Sequence, residues 1–161
     1  MTLRVGDVAP DFDVVARQAG QDRRLVLGEL LEQKHLVLYF YPRDFTTVCT
    51  RETCGFRDAY AELTSSDTEV VGVSVDDAAT HDRFAREHHI TFPLVPDPQR
   101  VLIRRYGASS LMSDLMGVSA RLTFVIARTG RIVAVFDSAL RASQHTEGAR
   151  EAIQKLRSQS L

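Results

Sequence analysis

The chain has 161 residues, 44% of them hydrophobic and 25% charged, with a formal net charge of −1. That length and composition fit one domain, residues 1–161, with a full apolar core. Twenty basic residues against 21 acidic ones form no basic stripe, so nucleic acid is not an expected partner. The longest apolar run, residues 36–41, is too short to cross a bilayer. The opening MTLRVGDVAPDF has no apolar core of a signal peptide. A cytoplasmic protein is expected, and there a disulfide is transient rather than structural.

In chain order, residues 11–15 and 24–27 form a candidate strand pair turned at Ala19-Gly20-Gln21-Asp22. Residues 36–41, 70–75 and 122–127 are β-branched or aromatic runs bounded by polar residues, and predict buried strands. Thr129-Gly130 then turns the chain into residues 131–136, which predicts a β-hairpin. Helices are predicted over 47–63, with Phe56, Ala59, Tyr60 and Leu63 at helical spacing, and over 79–88 and 98–106. The last helix, 146–156, sets Ala149, Ile153 and Leu156 on one face. Residues 111–116 (Leu-Met-Ser-Asp-Leu-Met) are an apolar patch expected in the core or in a loop lid. The order predicts an α/β fold, a mixed central sheet flanked by helices. It resembles a thioredoxin-like core carrying an N-terminal β extension.

The chemistry gathers between Pro42 and Cys54. Pro42 stops the strand ladder, and Thr46 or Thr47 is a candidate N-cap. Cys49 then falls in the first helical turn, where free N–H groups and the helix dipole favour an anion such as a thiolate. That position should lower the pKa of Cys49 and raise its reactivity. The chain has only two cysteines, five positions apart. A disulfide between them would close too small a loop to stabilise the fold much. Five scattered histidines add no metal-ligand spacing, so neither metal nor cofactor is expected. On an ideal helix, positions i and i+5 lie about 140° apart around the axis, with Cα atoms about 8.6 Å apart. That exceeds the ~7 Å span of a disulfide. A Cys49–Cys54 bond therefore requires the helix start to unwind.

The run Pro42, Thr46, Cys49 matches the active-site signature of the peroxiredoxins: Pro, three residues, Thr or Ser, two residues, Cys. The longer stretch from Tyr41 to Asp58 resembles the peroxiredoxin Q group, also called bacterioferritin comigratory proteins, whose members often carry a second Cys five residues on. The segment Ser119-Ala120-Arg121-Leu122-Thr123-Phe124 resembles the one holding the family's active-site arginine, and the opening from Val5 to Phe12 resembles its N-terminus. Thr47-Val48 stands where many relatives have Pro-Gly.

The resemblance implies that Cys49 is the peroxidatic cysteine, attacking a hydroperoxide and leaving a sulfenic acid. Cys54 would resolve it as an intramolecular disulfide, reset by thioredoxin or a similar dithiol reductant. Thr46 would bind the peroxide through its hydroxyl, Arg121 would supply fixed charge, and Pro42 would shield the site and fix the loop. Glu52 is expected to stabilise the first helical turn or to pair with an arginine, ahead of moving protons. A resolving thiol supplied in cis suggests a monomer. Two rivals stand beside this reading. A thiol–disulfide oxidoreductase on the same fold is disfavoured by the missing Cys-x-x-Cys, and a non-enzymatic redox sensor by the lack of any partner-binding module.

Overall fold

The computed structural model describes residues 2–137 and 142–159. The chain opens with an antiparallel pair, β1 (Asp13–Gln18) and β2 (Gln21–Val26), in which Gln18 pairs with Gln21. Only Ala19 and Gly20 turn the chain, at φ 52° and 74°. Positive φ at both central residues matches the right-handed strand twist, which is why two residues suffice here. The expected pair at 11–15 and 24–27 is thus corrected: both strands run further toward a tighter turn. A short helix α1 (Leu27–Leu31), not anticipated, then buries Leu27 and Leu31.

Next come β3 (His35–Phe40), α2 (Thr47–Ser65), β4 (Thr68–Ser74) and α3 (Ala78–His88). They are followed by β5 (Leu94–Pro96), α4 (Val101–Arg105), α5 (Leu111–Met116), β6 (Leu122–Ile126), β7 (Ile132–Phe136) and α6 (Ala142–Gln159). One seven-stranded sheet has the order β2-β1-β5-β4-β3-β6-β7. β4 lies parallel to β3 and β5, while β6 runs antiparallel to β3 and β7. The mixed sheet is as expected. Strand β5 escaped the sequence pattern because Pro93 precedes it and Pro96 is the last of its three residues.

Alternation along β3 splits the core in two. Leu36, Leu38 and Phe40 join Phe124, Ile103 and Tyr106 on one face. Val37, Tyr39 and Tyr41 join Phe56, Phe84, Val125 and Cys49 on the other. That second face is roofed by α2, α3 and α6. Helix α6 comes close because of two glycines. A Cβ on Gly55 would lie 2.7 Å from Thr146 Oγ1, and one on Gly148 would run into the Phe136 ring.

The patch at 111–116 is not core. It forms α5, closed by a Ser110–Ser113 capping box, with Ser113 buried and Leu111, Met112, Leu115 and Met116 between 62% and 80% exposed. The cap turns Ser113 inward and leaves the apolar side chains outside. Among the described residues no helix is long and apolar enough to cross a membrane.

Candidate active site

Strand β3 delivers Tyr41, whose N–H still bonds Val73 O at 3.0 Å, and the half-buried Pro42 ends the ladder there. A short loop leads to Thr46, which takes the extended backbone of an N-cap (φ −84°, ψ 152°). Its carbonyl accepts from Thr50 N at 2.8 Å. The Thr46 side chain does not cap the helix. Its hydroxyl donates instead to Arg43 O at 3.1 Å. The first N–H groups of α2 are thus not taken by a side-chain cap, and Cys49, third residue of the helix, is wholly buried there.

Arg121 immediately precedes β6, which pairs with β3, so its side chain starts from the sheet beside the Cys49 loop. The side chain is 7% exposed and donates from Nη2 to Cys49 Sγ at 3.1 Å. A guanidinium has donors only, so the sulfur is the acceptor, and a thiolate accepts more strongly than a thiol. Nη1 donates to Glu52 Oε1 at 3.2 Å.

Of the two roles expected for Glu52, first-turn stabilisation or pairing with an arginine, it takes the arginine pairing, and it is fully buried. Burial pushes its carboxyl up to about 8, although Arg121 pulls the other way. The second oxygen, Oε2, lies 3.2 Å from His145 Nδ1 but is not aligned for a hydrogen bond. His145 Nδ1 instead meets Thr123 Oγ1 at 2.6 Å. A continuous polar file therefore runs from Cys49 through Arg121 and Glu52 to His145 and Thr123.

Cys54 is the eighth residue of the same unbroken helix, half-buried, and both cysteines are free. Burial raises the Cys54 thiol, partly opposed by Arg57, so at rest it is a protonated thiol. Behind the helix, Tyr39 OH donates to Thr53 Oγ1 at 3.0 Å. Burial pushes that phenol well above its usual range and keeps it a donor.

Asp44, Asp76 and His81 bring ligand atoms within 4.8 Å of one another. Asp44 accepts from Tyr41 OH and contacts His81 Nδ1, while Asp76 accepts from Ser74 Oγ and Asp44 N. Asp44, Asp76 and His81 are thus already tied into a hydrogen-bonded cluster.

The structure thus brings Arg121 to Cys49, sets Thr46 at the helix entrance and Pro42 at the strand exit, and leaves Cys54 along the helix. His145 and His81 escaped the sequence reading. Their signal is the apolar stripe: one turn back from Ala149 and Ile153 lies His145, and His81 precedes Phe84 by three positions on the buried face of α3.

Comparison with known proteins gives the family and the fold. Residues 5–135 match the AhpC/TSA family. The chain is 33% identical over 152 residues to a chloroplastic peroxiredoxin Q of Triticum aestivum, covering 94% of this chain and 67% of that protein. It is 33% identical over 137 residues to peroxiredoxin Bcp of Bacillus subtilis, covering 83% of this chain and 84% of the relative. In three dimensions it resembles peroxidoxin BcpB of Mycobacterium tuberculosis, with a TM-score of 0.82 at 29% identity, covering 96% of this chain and 98% of that one. The thioredoxin-like fold expected from the element order is the one these structures share, and the chain belongs to the AhpC/TSA family, among the peroxiredoxins of the Q and Bcp kind.

Proposed function

We propose that this peroxiredoxin reduces hydrogen peroxide and organic hydroperoxides through Cys49, with Cys54 as its resolving thiol and thioredoxin or a similar dithiol as reductant. The observation that carries the reading is the 3.1 Å contact from Arg121 Nη2 to a buried Cys49 sulfur in the first turn of α2. The thiolate attacks one peroxide oxygen in line with the O–O bond. A sulfenic acid forms, the O–O bond breaks, and the leaving oxygen takes a proton to depart as water or alcohol.

Ionisation alone is not enough. An ordinary thiol is a few per cent thiolate at neutral pH, so full ionisation yields about 30-fold, or about 2 kcal/mol of barrier. The rest falls to positioning and to charge stabilisation as the O–O bond opens. Arg121 suits that task because it offers fixed donors in a nearly dry site. Thr46 directs its proton to Arg43 O, which leaves its lone pairs for the O–H of a hydroperoxide. Donation from Thr46 to the leaving oxygen needs a turn about χ1. Pro42 fixes the loop and shields it from water.

Resolution follows when Cys54 attacks the Cys49 sulfur: the S–S bond forms, the S–O bond breaks, and water leaves. The unbroken helix between the two cysteines supports a cycle of unwinding and rewinding. With the resolving thiol in cis, the working unit is a monomer, and its setting is the cytoplasm, where dithiol reductants act. Stopped-flow peroxide titration of wild type, Cys49→Ser and Cys54→Ser, with intact masses, tests the reading. Loss of peroxide reduction in Cys49→Ser alone among first-turnover assays is expected. Undiminished reduction without Cys49 would end it.

A further inference from the structure

The loop 42–46 that enters α2 is fastened to α3 at two points. Phe45 sits at φ 66°, a left-handed conformation that a side chain with a Cβ disfavours. It is held there by an edge-on contact with Phe84, 5.1 Å between centroids, and by Arg83 over its ring at 4.9 Å. Beside it, Asp44 Oδ2 lies 2.6 Å from His81 Nδ1, with both side chains fully buried.

The hydrogen-bond inventory fixes the character of this contact. His81 Nε2 faces Val95 O at 3.2 Å, and a carbonyl only accepts, so Nε2 carries a proton. Tyr41 OH donates to Asp44 Oδ1 at 2.6 Å, so Oδ1 accepts. A single proton then bridges Nδ1 and Oδ2. The Asp44 backbone N–H is also spoken for, by Asp76 Oδ2 at 2.7 Å. Both ring nitrogens of His81 and both carboxylate oxygens of Asp44 have a partner, so the contact is strong and selective for one loop position.

We propose that Asp44 and His81 form a latch that holds loop 42–46 on α3 and keeps the start of α2 wound, and that its release accompanies the opening through which Cys49 reaches Cys54. They are positioning residues, acting through Pro42, Thr46 and the helix start. The inference rests on the peroxidase reading above and adds a control point to it.

The latch governs how the sulfenic acid divides between two fates. In the wound state a second hydroperoxide gives up an oxygen to the Cys49 sulfur, which becomes sulfinic acid while the peroxide is reduced to water or alcohol. In the opened state the Cys54 thiol condenses with it, forming the disulfide and releasing water. A tighter latch favours the first fate, and a looser latch the second. The strained Phe45 backbone pulls toward opening, so the latch works against a stored bias.

The test follows the ratio of sulfinic acid to disulfide, by intact mass, across graded hydrogen peroxide in wild type, His81→Leu, His81→Asn and Asp44→Asn. Hydrogen bonds to charged groups are strong enough to shift an equilibrium about tenfold. His81→Leu is therefore expected to lower the ratio about tenfold. His81→Asn, whose amide donates from nearly the place of Nδ1, should restore most of it. Asp44→Asn, which stays bonded to His81 without the carboxylate, should lower the ratio about threefold, a fraction of that strength, and serves if His81→Leu fails to fold. A merely structural role would lower the melting temperature and leave the ratio alone. An unchanged ratio in folded variants overturns the latch while the peroxidase reading stands. A wild type whose Cys49 is never oxidised removes both.

Discussion

Cys49 and Glu52 lie three positions apart on α2 and share one guanidinium: Arg121 donates to the sulfur at 3.1 Å and to the carboxyl at 3.2 Å. Spacing of i and i+3 puts both on one helix face, so a cation just before β6 can bridge them. The arrangement makes the arginine's charge divisible. While Glu52 is neutral the charge serves the sulfur, and when Glu52 ionises the two anions compete for it.

Arg121→Ala should slow oxidation of Cys49 by hydrogen peroxide about 100-fold, the usual cost of losing one preorganised donor to developing negative charge. Arg121→Lys should recover only part of this, because one ammonium cannot serve sulfur and carboxyl with the same fork. Stopped-flow rates measure both. A rate for Arg121→Ala within twofold of wild type would remove Arg121 from the chemistry.

Glu52→Gln should reshape both pH profiles. The folded carboxyl is raised from about 4.5 to about 8. Between those values the folded state holds a proton that the unfolded chain has released. Stability from this group is therefore complete below about 4.5 and is lost as the pH rises through about 8. Denaturant titrations of wild type across that window should show falling stability, and Glu52→Gln should flatten the slope. The rate of Cys49 oxidation should likewise decline above about 8 in wild type and not in the variant, since a neutral amide never competes for Arg121. Parallel profiles for the two proteins would contradict the sharing of Arg121.

Cys54→Ser should retain the first peroxide turnover at the wild-type rate and abolish cycling with thioredoxin. The helix is continuous through both positions and the Cys54 thiol is raised by burial, so Cys54 takes no part in the resting attack. Sustained NADPH-coupled turnover by Cys54→Ser would assign resolution elsewhere.

Gly55→Ala tests how α6 is seated. Alanine raises helix propensity by about 1 kcal/mol. Its Cβ, however, would approach Thr146 Oγ1 to 2.7 Å, and overpacking of this kind costs about 1–3 kcal/mol. The net expectation is destabilisation, largely reversed in Gly55→Ala/Thr146→Ala, because Thr146 Oγ1 is buried without a hydrogen-bond partner among the described residues. Chemical denaturation decides it. Stabilisation by Gly55→Ala alone would show that α6 yields freely.

Local patterning made much of this chain legible. The runs that became β3, β4, β6 and β7 are dense in β-branched and aromatic residues, and the helix after Pro42 has clear apolar spacing. The hairpin β1–β2 was found but cut short, because polar Gln21 and Asp22 look like turn residues until sheet twist demands the shortest turn. The exposed α5 looked like core because apolar content, not facing, is what composition reports.

Two kinds of fact need the folded chain. Near-neighbour geometry, such as Cys49 in the first turn with Cys54 out of bonding reach, follows from helical rise and twist and belongs to the sequence itself. Contacts such as Arg121 with Cys49, 72 positions apart, His145 beside Glu52, or Asp44 with His81 depend on which strands lie side by side and how closely α3 and α6 pack. Helical periodicity marks a histidine as inward-facing, but only the order of strands in the sheet decides which charged group it meets, because burial is local while partnership is set by topology.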